Sequence, residues 1–146
     1  MHGDEPLHTA VLLDLVNFLQ QAPDHPSANA ILASCKLHLI VMTNPDGAER
    51  GTRQNAQDID INRDAQTLQS PEGRLLRHTV EKIQPSFAFN FHNHNPLTTV
   101  GDTDEVAAVA LLVPPIDPQA TDAPHVLVAK QVVSCFCLAV EPHAQE

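Results

Sequence analysis

Leu7, Val11, Leu15 and Phe18 repeat at helical spacing near the start of the chain, with Leu12, Val16 and Leu19 between them. Pro6 ahead of them suits a first helical turn, so the pattern predicts a mostly buried helix over about residues 6 to 21. Two prolines within residues 22–27 mark a turn. Beyond it, Leu37, Leu39 and Val41 alternate with His38, Ile40 and Met42, which reads as a strand of a sheet covered on both faces. Asn44-Pro45-Asp46-Gly47 ends that strand in a turn. Residues 47–69 are polar and irregular, a long loop of the kind that is usually functional inside a compact domain. Ser70 is placed to cap a second helix with Pro71 at its first position, and Leu75, Leu76, Thr79, Val80 and Ile83 mark its buried side before Pro85 stops it. Phe87, Phe89 and Phe91 alternate in a short strand leading to His92, a further strand is expected at about 106–113, and a last helix starts near 122–124.

The predicted order is helix, strand, helix, strand, strand, helix. Helices alternating with strongly apolar strands imply an α/β protein, three layers deep (α/β/α), around a mostly parallel or mixed sheet. In such sheets ligands gather beyond the carboxyl ends of the strands, and Asn44 and His92 both sit just past such ends. No internal repeat, low-complexity tract or linker divides the chain, so residues 1–146 read as one domain.

Charge narrows the partners. Eighteen acidic residues against 8 basic ones give a formal net charge of -10, which repels phosphate backbones and anionic lipid headgroups. Nucleic acid and membrane surfaces are therefore not expected partners. Three cysteines, no signal-like start and no apolar run near the ~20 residues that cross a bilayer imply a soluble, cytoplasmic chain without a disulfide scaffold. Cys135 and Cys137, in the last apolar segment, read as small buried side chains. Trp and Tyr are absent, and only 5 Phe are present, which is unusual for a pocket that binds peptide side chains.

Candidate metal chemistry rests on histidines. The spacing His-x-x-Glu occurs at His2/Glu5, His78/Glu81 and His143/Glu146, so spacing by itself selects none of them. His78 and Glu81 fall within a predicted helix as a solvated pair, and His143 and Glu146 lie at the terminus. His2 and Glu5 immediately precede a predicted helix, with Gly3 between them allowing close backbone approach. A catalytic zinc takes three protein ligands and keeps a position for water. The third ligand must come from elsewhere, and His92 and His94, two apart on a predicted strand, face the same side. His8, His25, His38 and His125 have no partner at ligand spacing.

Between the two histidine blocks lies a cluster suited to a carboxylate. Arginine grips a carboxylate through two parallel hydrogen bonds, and an asparagine amide adds another donor. Arg53, Asn62 and Arg63 are the candidates, although by themselves Arg50, Arg53 and Arg63 beside Glu49, Asp58, Asp60 and Asp64 read first as a salt-bridged surface. The run Asn44-Pro45-Asp46-Gly47, then Thr52-Arg53-Gln54-Asn55-Ala56, then Asp60-Ile61-Asn62-Arg63-Asp64, flanked by His2-Gly3-Asp4-Glu5 and Phe91-His92, is far more specific than its parts. Over about residues 1 to 115 it resembles the zinc carboxypeptidases of the M14 type.

The resemblance implies one zinc per chain held by His2, Glu5 and His92, and leaves His94 a neighbour. It also implies Arg53 as transition-state oxyanion support, with Asn62 and Arg63 on the substrate's terminal carboxylate. The implied substrate is a peptide or acyl-amino acid with a free carboxylate, and the implied activity is hydrolysis of the C-terminal peptide bond. A zinc amidohydrolase or deacylase of the same superfold, and a non-catalytic module that binds peptide C-termini, are the alternatives. The family's catalytic glutamate and a substrate-contacting tyrosine have no match here; Glu72, Glu105 and Glu141 lie in no segment resembling its catalytic strand. The chain is thus expected to be a partial M14 domain, an incomplete version of that fold, with little or no peptidase activity alone and with exposed sheet edges that invite self-association.

Overall fold

The computed structural model describes residues 1–21, 24–93, 97–100, 102–107, 127–128 and 131. The chain divides into two units, Met1–Asn93 and His94–Glu146. In the first, α1 spans Leu7–Gln21, α2 Pro26–Ser34, α3 Pro45–Arg50 and α4 Pro71–Ile83, with a short 3-10 turn at Ile61–Arg63 between the last two.

Local chemistry explains where these helices begin. Pro6 supplies the carbonyl that receives Thr9 and Ala10 at the head of α1. His25 caps α2 through Nδ1, which accepts from the Ser27 amide, and Pro26 follows at the first position. Asn44 does the same for α3, its side-chain oxygen accepting the Gly47 amide at 2.9 Å. Asp46 in the first turn and Arg50 in the last complement that helix's dipole, and Gly51 closes it in the left-handed conformation. Ser70 caps α4 by accepting the Gly73 amide at 2.9 Å.

The expected three-layer α/β/α sheet is not what the structure contains. Among the described residues there are helices and one isolated antiparallel bridge, Thr99 to Val106, but no strand. Segments 37–42 and 87–91 carry the alternating apolar pattern, yet neither enters a hydrogen-bonded ladder with another described segment. The reason is that alternation reports a two-residue period of side chains, whereas a strand exists only when a second segment supplies its amides and carbonyls. With no sheet among these residues there is no sheet edge either.

Other expectations change in the same way. The Asn44-Pro45-Asp46-Gly47 turn is the cap and first turn of α3, and α2 occupies a stretch read as turn and connection. Of α1's apolar positions only Leu19 is buried, while Leu75 and Val80 on α4 are more than half exposed. The strand expected to continue to residue 113, the helix starting at 122–124 and Cys135 with Cys137 lie outside the described residues. No helix among those described is long and apolar enough to cross a membrane.

What holds the first unit together around its loop is polar. Asn44, Asn55, Asp64 and Ser70 are buried, against Leu19, Ala28 and Ile61 among the apolar residues there. Asn55 accepts the amides of Gln57 and Ile59 and donates to Glu72 at 2.9 Å, joining the loop to the head of α4. Asp64 accepts the Gln69 and Ser70 amides and both the Thr67 and Ser70 hydroxyls. The Ser70 hydroxyl hydrogen bond first, and the other donors with it, hold the Asp64 carboxyl well below the usual carboxylate range despite its burial. These bonds give the loop between α3 and α4 one shape with no regular structure beyond the 3-10 turn.

Candidate metal and carboxylate site

His2, Gly3, Asp4 and Glu5 form the tight turn that leads into α1. It seats against α3 because Gly3 has no side chain: a Cβ there would lie 2.0 Å from the Gly47 carbonyl carbon and 2.3 Å from the Ala48 nitrogen. Gly47 is equally confined, by the Asn44 amide and the Gln54 carbonyl. The close approach of these two glycines places the turn against the loop that carries Arg53.

His92 reaches the same spot from the far end of the unit. Its Nδ1 lies 3.2 Å from His2 Nδ1 and 3.0 Å from Glu5 Oε2, while His2 Nδ1 is 3.2 Å from Glu5 Oε1. The two rings sit 4.6 Å apart, tilted by 42°. One donor atom from each of His2, Glu5 and His92 falls within 4.8 Å of the other two. Ligand bonds of ~2.0–2.1 Å in tetrahedral geometry put neighbouring ligand atoms about 3.3 Å apart, close to these separations.

Protonation states also suit a cation. Two groups at 3.2 Å pull the protonation of His2 Nδ1 in opposite directions: Arg53 Nη1 can only donate to it, whereas the ionised Glu5 Oε1 can only accept from it. The other ring nitrogen, Nε2, lies 3.3 Å from Asp60 Oδ1, an acceptor for a proton there. Burial tends to raise the Glu5 carboxyl, but the contacts of its two oxygens with the His2 and His92 rings outweigh it and hold Glu5 below the usual range. Burial lowers His92, only partly offset by Glu5. Two imidazoles and a carboxylate thus face one another at ligand spacing, the donor set a metal would take once the protons between them leave. His92 Nε2 is buried with no hydrogen-bond partner.

Asp60 ties the rest of the site to this cluster. Its Oδ1 accepts from His2 Nε2 and from the Asn62 amide, and its Oδ2 accepts from Arg53 Nε at 2.9 Å. Desolvation would raise Asp60, yet the Arg53 hydrogen bond and charge keep it low. A single carboxylate therefore orients His2, fixes Arg53 and caps the 3-10 turn bearing Asn62 and Arg63. Of the unit's arginines, Arg50 and Arg74 hold backbone carbonyls and Arg77 pairs with Glu81. Arg63 is exposed and, among the described residues, donates from its side chain to the Asn62 carbonyl and makes no ion pair.

A model of the family described as zinc carboxypeptidase, peptidase M14, matches residues 1–109. This chain belongs to the zinc carboxypeptidase family. Carboxypeptidase SOL1 of Arabidopsis thaliana is 38% identical over 65 residues, a segment that is 44% of this chain and 13% of that protein. No solved structure matches.

Within this M14 chain the expected His2, Glu5, His92 and Arg53 come together, and Asn62 and Arg63 join them through Asp60. His94 lies outside the described residues, as do His143 and Glu146. His78 makes no pair with Glu81, which takes Arg77 instead. A surface groove lined by His38, Leu75, His78, Thr79, Lys82 and Ile83 contains no residue of the site. Sequence reasoning missed two residues. Asp60 had a signal, an aspartate two positions before Asn62 suited to cap a turn. Asn90 had only its position two residues before His92.

Proposed function

We propose that this chain carries the metal-binding and carboxylate-reading machinery of a zinc metallocarboxypeptidase, which removes one residue from the C-terminus of a peptide. The observation that supports it best is that one ligand atom from each of His2, Glu5 and His92 lies within 4.8 Å of the other two, with the Arg53 guanidinium beside them. His2 and His92 through Nδ1 and Glu5 through its carboxylate would hold the zinc. When bound, zinc supplies Lewis acidity toward a carbonyl and lowers the pKa of a coordinated water.

The chain's own residues would do the rest. Arg53, held by Asp60, points a guanidinium at the place where negative charge develops on a carbonyl oxygen. Arg63 and Asn62 would receive the terminal carboxylate, Arg63 because its donors are not committed to another carboxylate. A general base is not assigned: Glu72 is engaged by Asn55, and Glu81 by Arg77.

The test is zinc content of the purified chain beside His92→Ala, followed by incubation with a short peptide and mass analysis of its C-terminus. One zinc per chain, lost in the variant, with binding or trimming of the free-acid peptide and not of its carboxamide, is expected. A folded chain without zinc, or one indifferent to the terminal carboxylate, would overturn the reading.

A further inference from the structure

Asn62 can read a carboxylate only if its nitrogen, and not its oxygen, faces the ligand. An asparagine amide offers two donors at one end and an acceptor at the other, and half a turn about its last bond exchanges them. The backbone of residue 62 does not choose, because its amide goes to Asp60 and its carbonyl receives Arg63. The choice is made by Asn90, whose Nδ2 donates to Asn62 Oδ1 at 3.1 Å. The same Nδ2 lies 4.0 Å from the Met1 sulfur, an acceptor with no proton to give, which favours that end of the Asn90 amide there. Asn62 Oδ1 is thereby occupied, and Nδ2 makes no hydrogen bond to any described residue.

We propose that Asn90 is a positioning residue that sets the polarity of the carboxylate reader. By holding the oxygen of Asn62 it turns both N–H donors outward, so the site selects a terminal carboxylate over a terminal carboxamide. Because Asn90 lies two residues before His92, one segment supplies a metal ligand and orients the amide. Asn90 itself need not touch the substrate. This inference rests on the carboxylate-reading role given to Asn62 and Arg63 above.

The experiment compares two dansylated dipeptides, one ending in a free carboxylate and one in a carboxamide, by fluorescence anisotropy on the zinc-loaded chain. Asn90→Asp offers only acceptors, so the Asn62 amide turns over and presents its oxygen. Asn90→Ala lets it turn freely. The wild-type chain is expected to prefer the acid, and Asn90→Asp to cut that preference by about tenfold or more, the size of one hydrogen bond to a charged group. Asn90→Ala is expected to fall between them, with zinc content unchanged. A merely structural role would weaken both probes together in Asn90→Ala; because the carboxylate added in Asn90→Asp itself repels the acid probe, a ratio that falls in Asn90→Asp but holds in Asn90→Ala overturns the positioning role.

Retention of the wild-type ratio in both variants overturns the role of Asn90 and leaves the function above standing. Lack of any acid preference in the wild-type chain overturns both. Should Asn90→Asp lose its zinc, Asn90→Ala decides by the same ratio.

Discussion

Asn44 is where the cap of α3 and the path of the arginine loop depend on one side chain, so its replacement tests whether polar bonds order this region. Asn44→Ala removes three hydrogen bonds: from the Gly47 amide at 2.9 Å, and to the carbonyls of Arg53 at 3.3 Å and Gln54 at 3.1 Å. Loss of a cap costs about 1 kcal/mol. The Gln54 carbonyl keeps a second donor, the Thr52 hydroxyl, and so loses little. The Arg53 carbonyl keeps none among the described residues, which adds about 1 kcal/mol. Asn44 is 2% exposed, so water cannot replace these partners without local opening. The expected total is about 2–3 kcal/mol. Asn44→Ser retains the cap acceptor but does not reach the loop carbonyls, and should recover about half. Thermal unfolding of the zinc-loaded chain by far-UV circular dichroism is the assay, since the protein has neither Trp nor Tyr for fluorescence. At roughly 2–4 °C per kcal/mol for a chain of this size, Asn44→Ala should melt about 5–10 °C lower. Alanine and serine variants that melt together, within a degree of wild type, would refute the account.

Two further outcomes are expected. Gly3→Ala brings a methyl group against the backbone of Gly47, so the His2–Glu5 turn must lift off α3; zinc affinity, read by competition with a chelating dye, should fall at least tenfold, about 1.4 kcal/mol, and unchanged affinity would contradict the docking. The depressed Asp64 carboxyl predicts a pH dependence. A folded-state pKa below the unfolded value of ~3.9 gives stability that is fully present above that value and lost as pH falls below it. The stability gap between wild type and Asp64→Asn should therefore be constant from neutral pH to about pH 5 and narrow below about pH 4, as followed by urea unfolding at each pH. A gap that widens in acid would reverse the sign and refute the assignment.

Some of the fold was legible along the chain. Ser70-Pro71 announced α4 because a cap and an N1 proline act within four residues, and the start of α1 after Pro6 is equally local. The strands were not legible, because the alternation in 37–42 and 87–91 specifies side-chain period but not a partner. Burial failed for a related reason: helical spacing in α1 and α4 marks an apolar face, and only a packed neighbour buries it.

The site divides along the same line. Sequence by itself named the candidates, because family resemblance and residue chemistry point to His2, Glu5, His92, Arg53, Asn62 and Arg63 wherever the chain takes them. Of the two His-x-x-Glu pairs among the described residues, tertiary structure brings a third candidate ligand to His2 and Glu5, since His2 and His92 are 90 residues apart and their 3.2 Å contact is a property of no local window. It also decided what stands opposite His2 Nε2, which is Asp60, and the facing of the Asn62 amide, through Asn90. Hydrogen-bond direction depends on what stands opposite a side chain, and that is a fact of three dimensions.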